Sequence, residues 1–184
     1  MTLDEIKAQV DQCSRCNLCL TKTNYVVGKG NPNADIMFIG EAPGKNEDIQ
    51  GLPFVGAAGK NLDSMLNTIN LTLDDVYIAN ILKCRPPNNR NPEISEITAC
   101  TPFLNLQIEA VNPKIIVTLG NFATQYILGT ELGISLIHGN LYIKQNSPAV
   151  FPMYHPAAAL YNPSIQNMIK NDFKKLQNHL ANMP

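Results

Sequence analysis

The chain has 184 residues, of which 45% are hydrophobic and 16% are charged, so it can bury a core and is not intrinsically disordered. Its formal net charge of −1 excludes binding to DNA through a general positive field, and any contact with nucleic acid must be local. No apolar run approaches the ~18 residues of a membrane helix, and the acidic start at residues 1–5 does not resemble a secretory signal. We expect a cytoplasmic protein that forms a single domain over residues 1–184, with no contact to a membrane.

The N-terminal segment combines a short helix with closely spaced cysteines. Thr2 and Glu5 match the Thr-x-x-Glu pattern of a capping box, which predicts a helix that ends near the first cysteine. The five cysteines of the chain are Cys13, Cys16, Cys19, Cys84 and Cys100. Their odd number, without a secretory signal, argues against a disulfide framework.

The Cys-x2-Cys spacing of Cys13 and Cys16 is typical of a pair of metal ligands. Together with Cys84 and Cys100 it supplies four thiolates for a zinc ion or an iron–sulfur cluster, and the spacing does not choose between the two. Five unrelated buried thiols are the structural alternative, because free cysteine is among the most buried residue types.

Short apolar runs alternate with segments of helical periodicity along the rest of the chain. Buried strands are predicted at residues 34–40, 76–81, 114–120 and 149–153. Helices are predicted over about residues 59–70, from about residue 93, after residue 120 and at the C-terminus. We expect Pro102 to start a new turn rather than to lie inside a helix. The alternation predicts an α/β fold, a three-layer sandwich with a central, mostly parallel four-stranded sheet flanked by helices.

Three unusual loops follow predicted strands. The first is Gly40-Glu41-Ala42-Pro43-Gly44, the second begins at Asn80, and the third is Tyr154-His155-Pro156. Because ligands bind at the carboxyl ends of parallel strands, we expect these loops to meet at one edge of the sheet and form an active site.

Each candidate residue also has an ordinary structural interpretation. Glu41 suits a solvated turn, Asn80 can bond nearby backbone groups, and a lone Phe54 between Pro and Val is typical of a core position. His155 lies in a loop directly after a strand, a position that favours function over packing.

Taken together, these motifs resemble family 4 of the uracil-DNA glycosylases, the iron–sulfur branch of that superfamily. The matching pieces occur in the family's order over about residues 13–163: Cys13-x2-Cys16, residues 40–44, 51–59, 76–80 and 83–92, Cys100, and His155-Pro156-Ala157-Ala158. The resemblance implies an enzyme that flips uracil out of DNA, hydrolyses its N-glycosidic bond and leaves an abasic site. Its partner would be uracil-containing DNA, single- or double-stranded, and the enzyme would act as a monomer.

The resemblance also implies roles for single residues. Cys13, Cys16, Cys84 and Cys100 would ligate a [4Fe–4S] cluster, and Cys19 would not. The catalytic residues would be Glu41, which positions the water and the sugar, Asn80, which reads the pyrimidine edge, and His155, which stabilises charge on uracil O2. Phe54 would stack on the uracil. Further substrate contacts would come from Gly40, Ala42, Pro43 and Gly44, and DNA contacts from Lys83, Arg85, Arg90, Pro156, Ala157 and Leu160.

Two positions depart from the family's pattern, and each lacks a positive charge. Tyr161 stands where an arginine usually follows the His-Pro-Ala segment, and His138 stands where Arg-Gly is usual.

Two other functions stay open at this point. A metal-stabilised nucleic-acid-binding module would bind DNA without releasing uracil, and an iron–sulfur electron carrier would have no use for Asn80 or His155.

Overall fold

The computed structural model describes residues 1–183 as eight helices and five strands. The helices are α1 (Leu3–Val10), α2 (Lys45–Gln50), α3 (Ala57–Thr68), α4 (Ile94–Val111), α5 (Asn121–Leu128), α6 (Ile134–Ile137), α7 (Pro156–Ala159) and α8 (Pro163–Ala181). The strands are β1 (Lys29–Gly30), β2 (Ile36–Gly40), β3 (Val76–Asn80), β4 (Ile115–Leu119) and β5 (Ala149–Met153). Short 3-10 turns cover Asn17–Leu20 and Pro87–Asn89. None of the helices in the described chain is both long and apolar enough to cross a membrane.

The strands form one sheet in the order β1-β3-β2-β4-β5. Strands β3, β2, β4 and β5 are parallel, and β1 pairs antiparallel with β3 at the edge. The predicted α/β sandwich with a mostly parallel sheet is therefore confirmed, but the count of four strands is wrong by one. The missed strand has only two residues, Lys29 and Gly30, which is too short to produce a hydrophobic pattern.

Alternating side chains of the strands enter two separate cores, one on each face of the sheet. Ile36 and Phe38 of β2 pack in a cluster with residues of α3 and α8. Met37 and Ile39 pack on the other face with residues of α4 and α5. Because both faces are covered, β2, β3 and β4 are buried along their whole length, which explains why they form continuous apolar runs in the sequence.

Helix α4 contains Pro102 in its interior, which contradicts the predicted break at that residue. The ring is exposed, while its neighbours Cys100, Thr101, Phe103 and Leu104 are all buried. Burying a large apolar side chain contributes ~1.5–3 kcal/mol, so the packed neighbours offset the cost of ~3 kcal/mol that a proline imposes on a helix.

The N-terminal helix begins with the predicted capping box: Glu5 N–H donates to Thr2 Oγ1 at 3.2 Å, and Thr2 N–H donates to Glu5 Oε2 at 2.8 Å. Ile6 and Val10 of α1 pack against Phe103 of α4. This contact holds the segment with Cys13 and Cys16 beside α4, which carries Cys100.

Candidate active site and cysteine centre

The loops that follow β2, β3 and β5 meet at one edge of the sheet, as the sequence predicts. They enclose a cavity of about 400 Å³. Its lining consists of Glu41, Ala42, Pro43, Gly44, Glu47, Phe54, Ala58, Asn80, Pro86, Asn89, Arg90, His155 and Ala157. The order of the strands explains the convergence, because β2 lies next to β3 and only β4 separates it from β5.

Asn80 is the last residue of β3 and is 2% exposed. Its side-chain Oδ1 is buried and has no hydrogen-bond partner among the described residues. Gly40 lies opposite Asn80 in the parallel register. A Cβ at Gly40 would collide with Asn80 Oδ1 and approach the Phe54 ring to 2.8 Å, so glycine is required to leave space between the amide and the ring.

Phe54 has a positive φ of 52°, a left-handed conformation that is uncommon for a bulky residue. Its ring stacks on the ring of His155, with the centroids 5.6 Å apart. The ammonium of Lys29 donates to the Phe54 carbonyl at 3.0 Å, and the closely packed Gly59 leaves no room for a side chain against the Phe54 backbone. The surroundings thus hold Phe54 in a strained conformation at the cavity wall.

Glu47 is a cavity residue that sequence reasoning missed. Its Oε1 accepts hydrogen bonds from the N–H groups of Val55 and Gly56, both at 3.0 Å, and this ties α2 to the loop that carries Phe54. No motif could have identified it, because an acidic residue in the first turn of a helix is common.

His155 is the N-cap of α7, and its Nδ1 accepts a hydrogen bond from the Ala157 N–H at 3.1 Å. Burial lowers the pKa of His155 to about 4, and the charge of Glu47 opposes part of this shift. The imidazole is therefore neutral at pH 7. Since Nδ1 is an acceptor, the ring proton resides on Nε2, which makes that atom the available donor.

Glu41 follows β2, and its half-buried side chain lines the cavity. Burial raises the pKa of this carboxyl group. The carbonyl of Glu41 accepts from the Leu82 N–H at 3.0 Å, so the backbone of the glycine loop is joined to the chain beyond β3.

The basic loop after β3 does not present the three positive charges that the sequence predicts. Lys83 is 1% exposed, so it cannot contact a phosphate, and the prediction for this residue is wrong. Arg90 lines the cavity, but both of its terminal nitrogens donate to the carboxylate of Glu96, at 2.9 and 2.6 Å. Arg85 is the residue of the three that is neither buried nor paired with a carboxylate among residues 1–183; its Nε donates to Asn89 Oδ1 at 2.7 Å. The correction follows from the fold, because Glu96 lies in the first turn of α4, where its carboxylate reaches Arg90.

The segment after β5 separates into buried and exposed parts. Pro156 is buried at the first position of α7, so its predicted DNA contact is also wrong; its carbonyl accepts from Asn61 Nδ2 at 3.2 Å. Ala157 lines the cavity. Leu160 is 42% exposed and Tyr161 is 91% exposed, so an apolar edge lies beside His155.

His138, the second departure from the family's pattern, is held by α8. Its Nδ1 lies 2.6 Å from Oδ2 of Asp172, which is itself 1% exposed. The His138 ring also packs against the Tyr154 ring at 4.8 Å between centroids. His138 is therefore fixed between α8 and Tyr154.

The cysteines gather around one apolar space between the N-terminal segment, the loop after β3 and helix α4. Cys13, Cys16, Cys19, Cys84 and Cys100 line it together with apolar residues that include Leu18, Leu82 and Phe103. Burial raises the pKa of the Cys16 and Cys100 thiols and raises that of Cys84 to about 12. Within residues 1–183, no three His, Cys, Asp or Glu side chains are arranged to hold a single metal ion.

Comparisons with known proteins agree with the family resemblance of the sequence motifs. A family model described as "Uracil DNA glycosylase superfamily" matches residues 27–181. The chain is 51% identical to a type-4 uracil-DNA glycosylase of Sulfurisphaera tokodaii, covering 96% of this chain and 84% of that protein. It is 48% identical to a type-4 uracil-DNA glycosylase of Saccharolobus solfataricus, covering 99% and 88%. A putative uracil DNA glycosylase from Methanosarcina acetivorans, solved by NMR, has a similar fold with a TM-score of 0.52 at 11% identity, covering 84% of this chain and 98% of that one.

Proposed function

Because the chain belongs to the uracil DNA glycosylase superfamily, we propose that it excises uracil from DNA by hydrolysing the N-glycosidic bond, which releases free uracil and leaves an abasic site. The observation that carries this function is the buried amide of Asn80, whose Oδ1 has no partner in a cavity that also contains Phe54 and His155. An unpaired buried polar group costs ~1–3 kcal/mol, and a ligand that pairs with it recovers that cost.

Uracil has the pattern that the amide of Asn80 requires. Its N3–H donates to Oδ1, and its O4 accepts from Nδ2. Cytosine has an acceptor at N3 and a donor at N4, so the same orientation of the amide leaves buried groups unpaired. Phe54 supplies an apolar face for the flat base, and its strained backbone supports an ordered binding surface.

His155 stabilises the leaving group in this proposal. As the N1–C1′ bond lengthens, negative charge develops on uracil and positive charge on the sugar. The neutral imidazole donates from Nε2 to uracil O2, an interaction that strengthens only as the anion forms. One such donor is worth ~3 kcal/mol in the transition state.

Glu41 acts on the sugar side. Its carboxylate orients the attacking water and faces the cation-like sugar. The 40–44 loop contains no aspartate that could serve as a strong base, so the enzyme relies on stabilising the leaving group more than on activating water.

The donor set fits an iron–sulfur cluster. All five cysteines line one apolar space, and thiolates are the ligands that iron–sulfur clusters use. Cys13, Cys16, Cys84 and Cys100 would hold a [4Fe–4S] cluster. When bound, it serves as a structural cross-link between the N-terminal segment, the loop after β3 and α4.

The DNA substrate is single- or double-stranded and contains uracil. Flipping the nucleotide out of a stack costs a few kcal/mol, and the exposed Leu160 would fill the gap that it leaves. Arg85 would supply the local phosphate contact that a protein with a net charge of −1 requires.

The test is incubation of the purified protein with an oligonucleotide that contains one uracil, against the same sequence with thymine. We expect free uracil and an alkali-labile abasic site in the first sample only. Binding of DNA without release of uracil would support the nucleic-acid-binding module instead and would overturn the proposed enzyme.

A further inference from the structure

Lys83 is one of the largest side chains that the structure buries completely. Its ammonium donates two hydrogen bonds of 2.6 Å, one to the backbone carbonyl of Asn80 and one to Oε1 of Gln107. Asn80 is the residue whose side chain faces the uracil in the proposed function. Lys83 therefore holds the backbone of Asn80, the residue that reads the base in the proposed function, from the buried side of the cavity.

The second acceptor, Gln107, is also completely buried and has partners of its own. Its Nε2 donates to the Val27 carbonyl at 3.0 Å and to the Tyr77 hydroxyl at 3.2 Å. Tyr77 and Asn80 both belong to β3. The network is thus connected to two points of the strand that ends at Asn80, and buried hydrogen bonds of this kind restrict the positions of its members.

The same lysine is joined to the cysteine centre. Its backbone N–H donates to Cys100 Sγ at 3.2 Å, and the next residue is Cys84. Cys100 and Gln107 both lie on α4, seven residues apart, which places them on one face of that helix two turns from each other. The elements that hold the thiols are therefore the elements that hold Lys83.

A buried ammonium is costly unless it has hydrogen bonds and a compensating charge. Among residues 1–183 no carboxylate lies within ion-pair distance of Lys83. The groups beside it that can carry negative charge are the cysteines, which become thiolates when they ligate a cluster. The position of this lysine is best explained by a role that links the cysteine centre to the strand end.

We propose that Lys83 is a positioning residue for uracil recognition, which holds the backbone of Asn80 so that its amide keeps the orientation that pairs with the base. The inference rests on the proposed function and adds to it a buried residue that does not line the cavity. It also gives the cysteine centre a route to the active site, through the segment 80–84 and α4.

The experiment is a double-mutant cycle with Lys83→Met and Asn80→Ala, measured by single-turnover uracil release and by calorimetric binding of free uracil. The iron content of every variant is determined first. We expect Lys83→Met to retain iron, to release uracil ~10- to 100-fold more slowly and to bind free uracil more weakly, because small displacements of a positioning group have effects of this size. In the Asn80→Ala background the same change should have less than ~2-fold effect, since the two residues act as one unit.

Two further variants complete the experiment. Gln107→Met removes the second acceptor at nearly constant volume and should give a smaller defect that is likewise absent with Asn80→Ala. Lys174→Met, on the exposed face of α8, makes the same chemical change away from the network and should leave both readouts unchanged.

Three other outcomes would contradict the inference, and a fourth would contradict the proposed function alone. Equal losses with and without Asn80 would indicate a general structural role, and a wild-type rate in iron-loaded Lys83→Met would mean that Asn80 needs no such support. Loss of iron in both Lys83→Met and Gln107→Met would assign the network to maintaining the cysteine centre. If wild-type protein binds free uracil but does not release it from DNA, the proposed function fails while the binding arm still tests Lys83.

Discussion

At the scale of single residues, the site depends on polar groups that the protein leaves available for a ligand. Asn80 Oδ1 is buried without a partner, and the neutral ring of His155 keeps Nε2–H as a donor because Ala157 occupies Nδ1. Both groups are prepared before substrate arrives, so little reorganisation is needed when charge develops on the base.

The first prediction concerns the rate contribution of His155. His155→Ala should lower the single-turnover rate of uracil release by ~10²-fold, the typical effect of removing one transition-state donor. Affinity for uracil-containing DNA should change little, because the interaction strengthens only during bond cleavage. His179→Ala, in α8, is the matched control and should cleave normally. Unchanged cleavage by His155→Ala would show that another group stabilises the leaving uracil.

A second prediction concerns the pH dependence of stability. The folded-state pKa of His155 is lowered to about 4 from its ordinary value of 6.5, so the unfolded chain binds the proton more readily. The contribution is complete above pH 6.5 and is lost as the pH falls towards 4. The side chain of His155 is only half-buried, so solvent screens part of this effect. We expect a loss of ~1–2 kcal/mol in the free energy of unfolding between pH 7 and pH 5.

Denaturant titrations of wild type and His155→Gln at the two pH values measure this loss. The variant has no ionisable ring, so it should lose less stability on acidification than the wild type by that amount. An identical pH dependence for both proteins would mean that the imidazole titrates normally in the folded state.

The third prediction uses the narrow space at Gly40. A methyl group there would collide with Asn80 Oδ1 and press on the Phe54 ring, so Gly40→Ala should reduce uracil release at least ~10-fold while the protein still folds. Gly133→Ala is the control, because a methyl group at that glycine has no atom closer than 3.8 Å. A wild-type rate for Gly40→Ala would show that the cavity is wider in solution than the packing implies.

At the scale of secondary-structure elements, the short helix α7 separates two tasks. Its N-terminal end places His155 and Ala157 in the cavity wall, and the exposed Leu160 directly follows its last residue. Helix α8 holds the segment that precedes β5 through the pair of His138 and buried Asp172. A protruding leucine on a well-supported element suits insertion into a base stack.

The fourth prediction tests that insertion. Leu160→Ala should slow uracil release from duplex DNA more than from a single strand, because only the duplex has a stack to hold open after the base is flipped. The comparison uses one uracil-containing strand, alone and annealed, under single-turnover conditions. Tyr161→Ala serves as an exposed control of larger size. Equal losses on the two substrates would make Leu160 a packing residue.

At the scale of the whole molecule, the cysteine centre joins segments that are far apart in the chain. It connects the region after α1, the loop after β3 and helix α4, on the face of the sheet away from α3 and α8. The net charge of −1 provides no general positive field, so contact with DNA depends on local geometry rather than on net charge.

The fifth prediction distinguishes ligands from the remaining thiol. Cys84→Ser should lose iron and visible colour and should unfold at a lower temperature, because ligand binding is coupled to folding. Cys19→Ser is the matched control and should retain both iron and stability. Iron determination and thermal unfolding under anaerobic conditions measure the two effects. One zinc in place of iron would refute the cluster, and equal losses in Cys19→Ser would make Cys19 a ligand.

Much of this protein is determined by local patterns in its sequence. Continuous apolar runs predict the strands because both faces of a parallel sheet are buried, and the capping box at Thr2 sets the start of α1. The strand-end loops place Glu41, Asn80 and His155 at one cavity, because parallel strands present their carboxyl ends together.

What only the tertiary structure decides is the environment of each side chain. Lys83 and Arg90 belong to one basic loop in the sequence, yet Lys83 is buried against Asn80 and Gln107, and Arg90 is neutralised by Glu96. Pro102 lies inside a helix because its neighbours are packed, and the positioning role of Glu47 depends on the backbone amides of the loop that carries Phe54. These outcomes depend on contacts between residues that no local pattern connects, since desolvation and hydrogen-bond partners are properties of the folded chain.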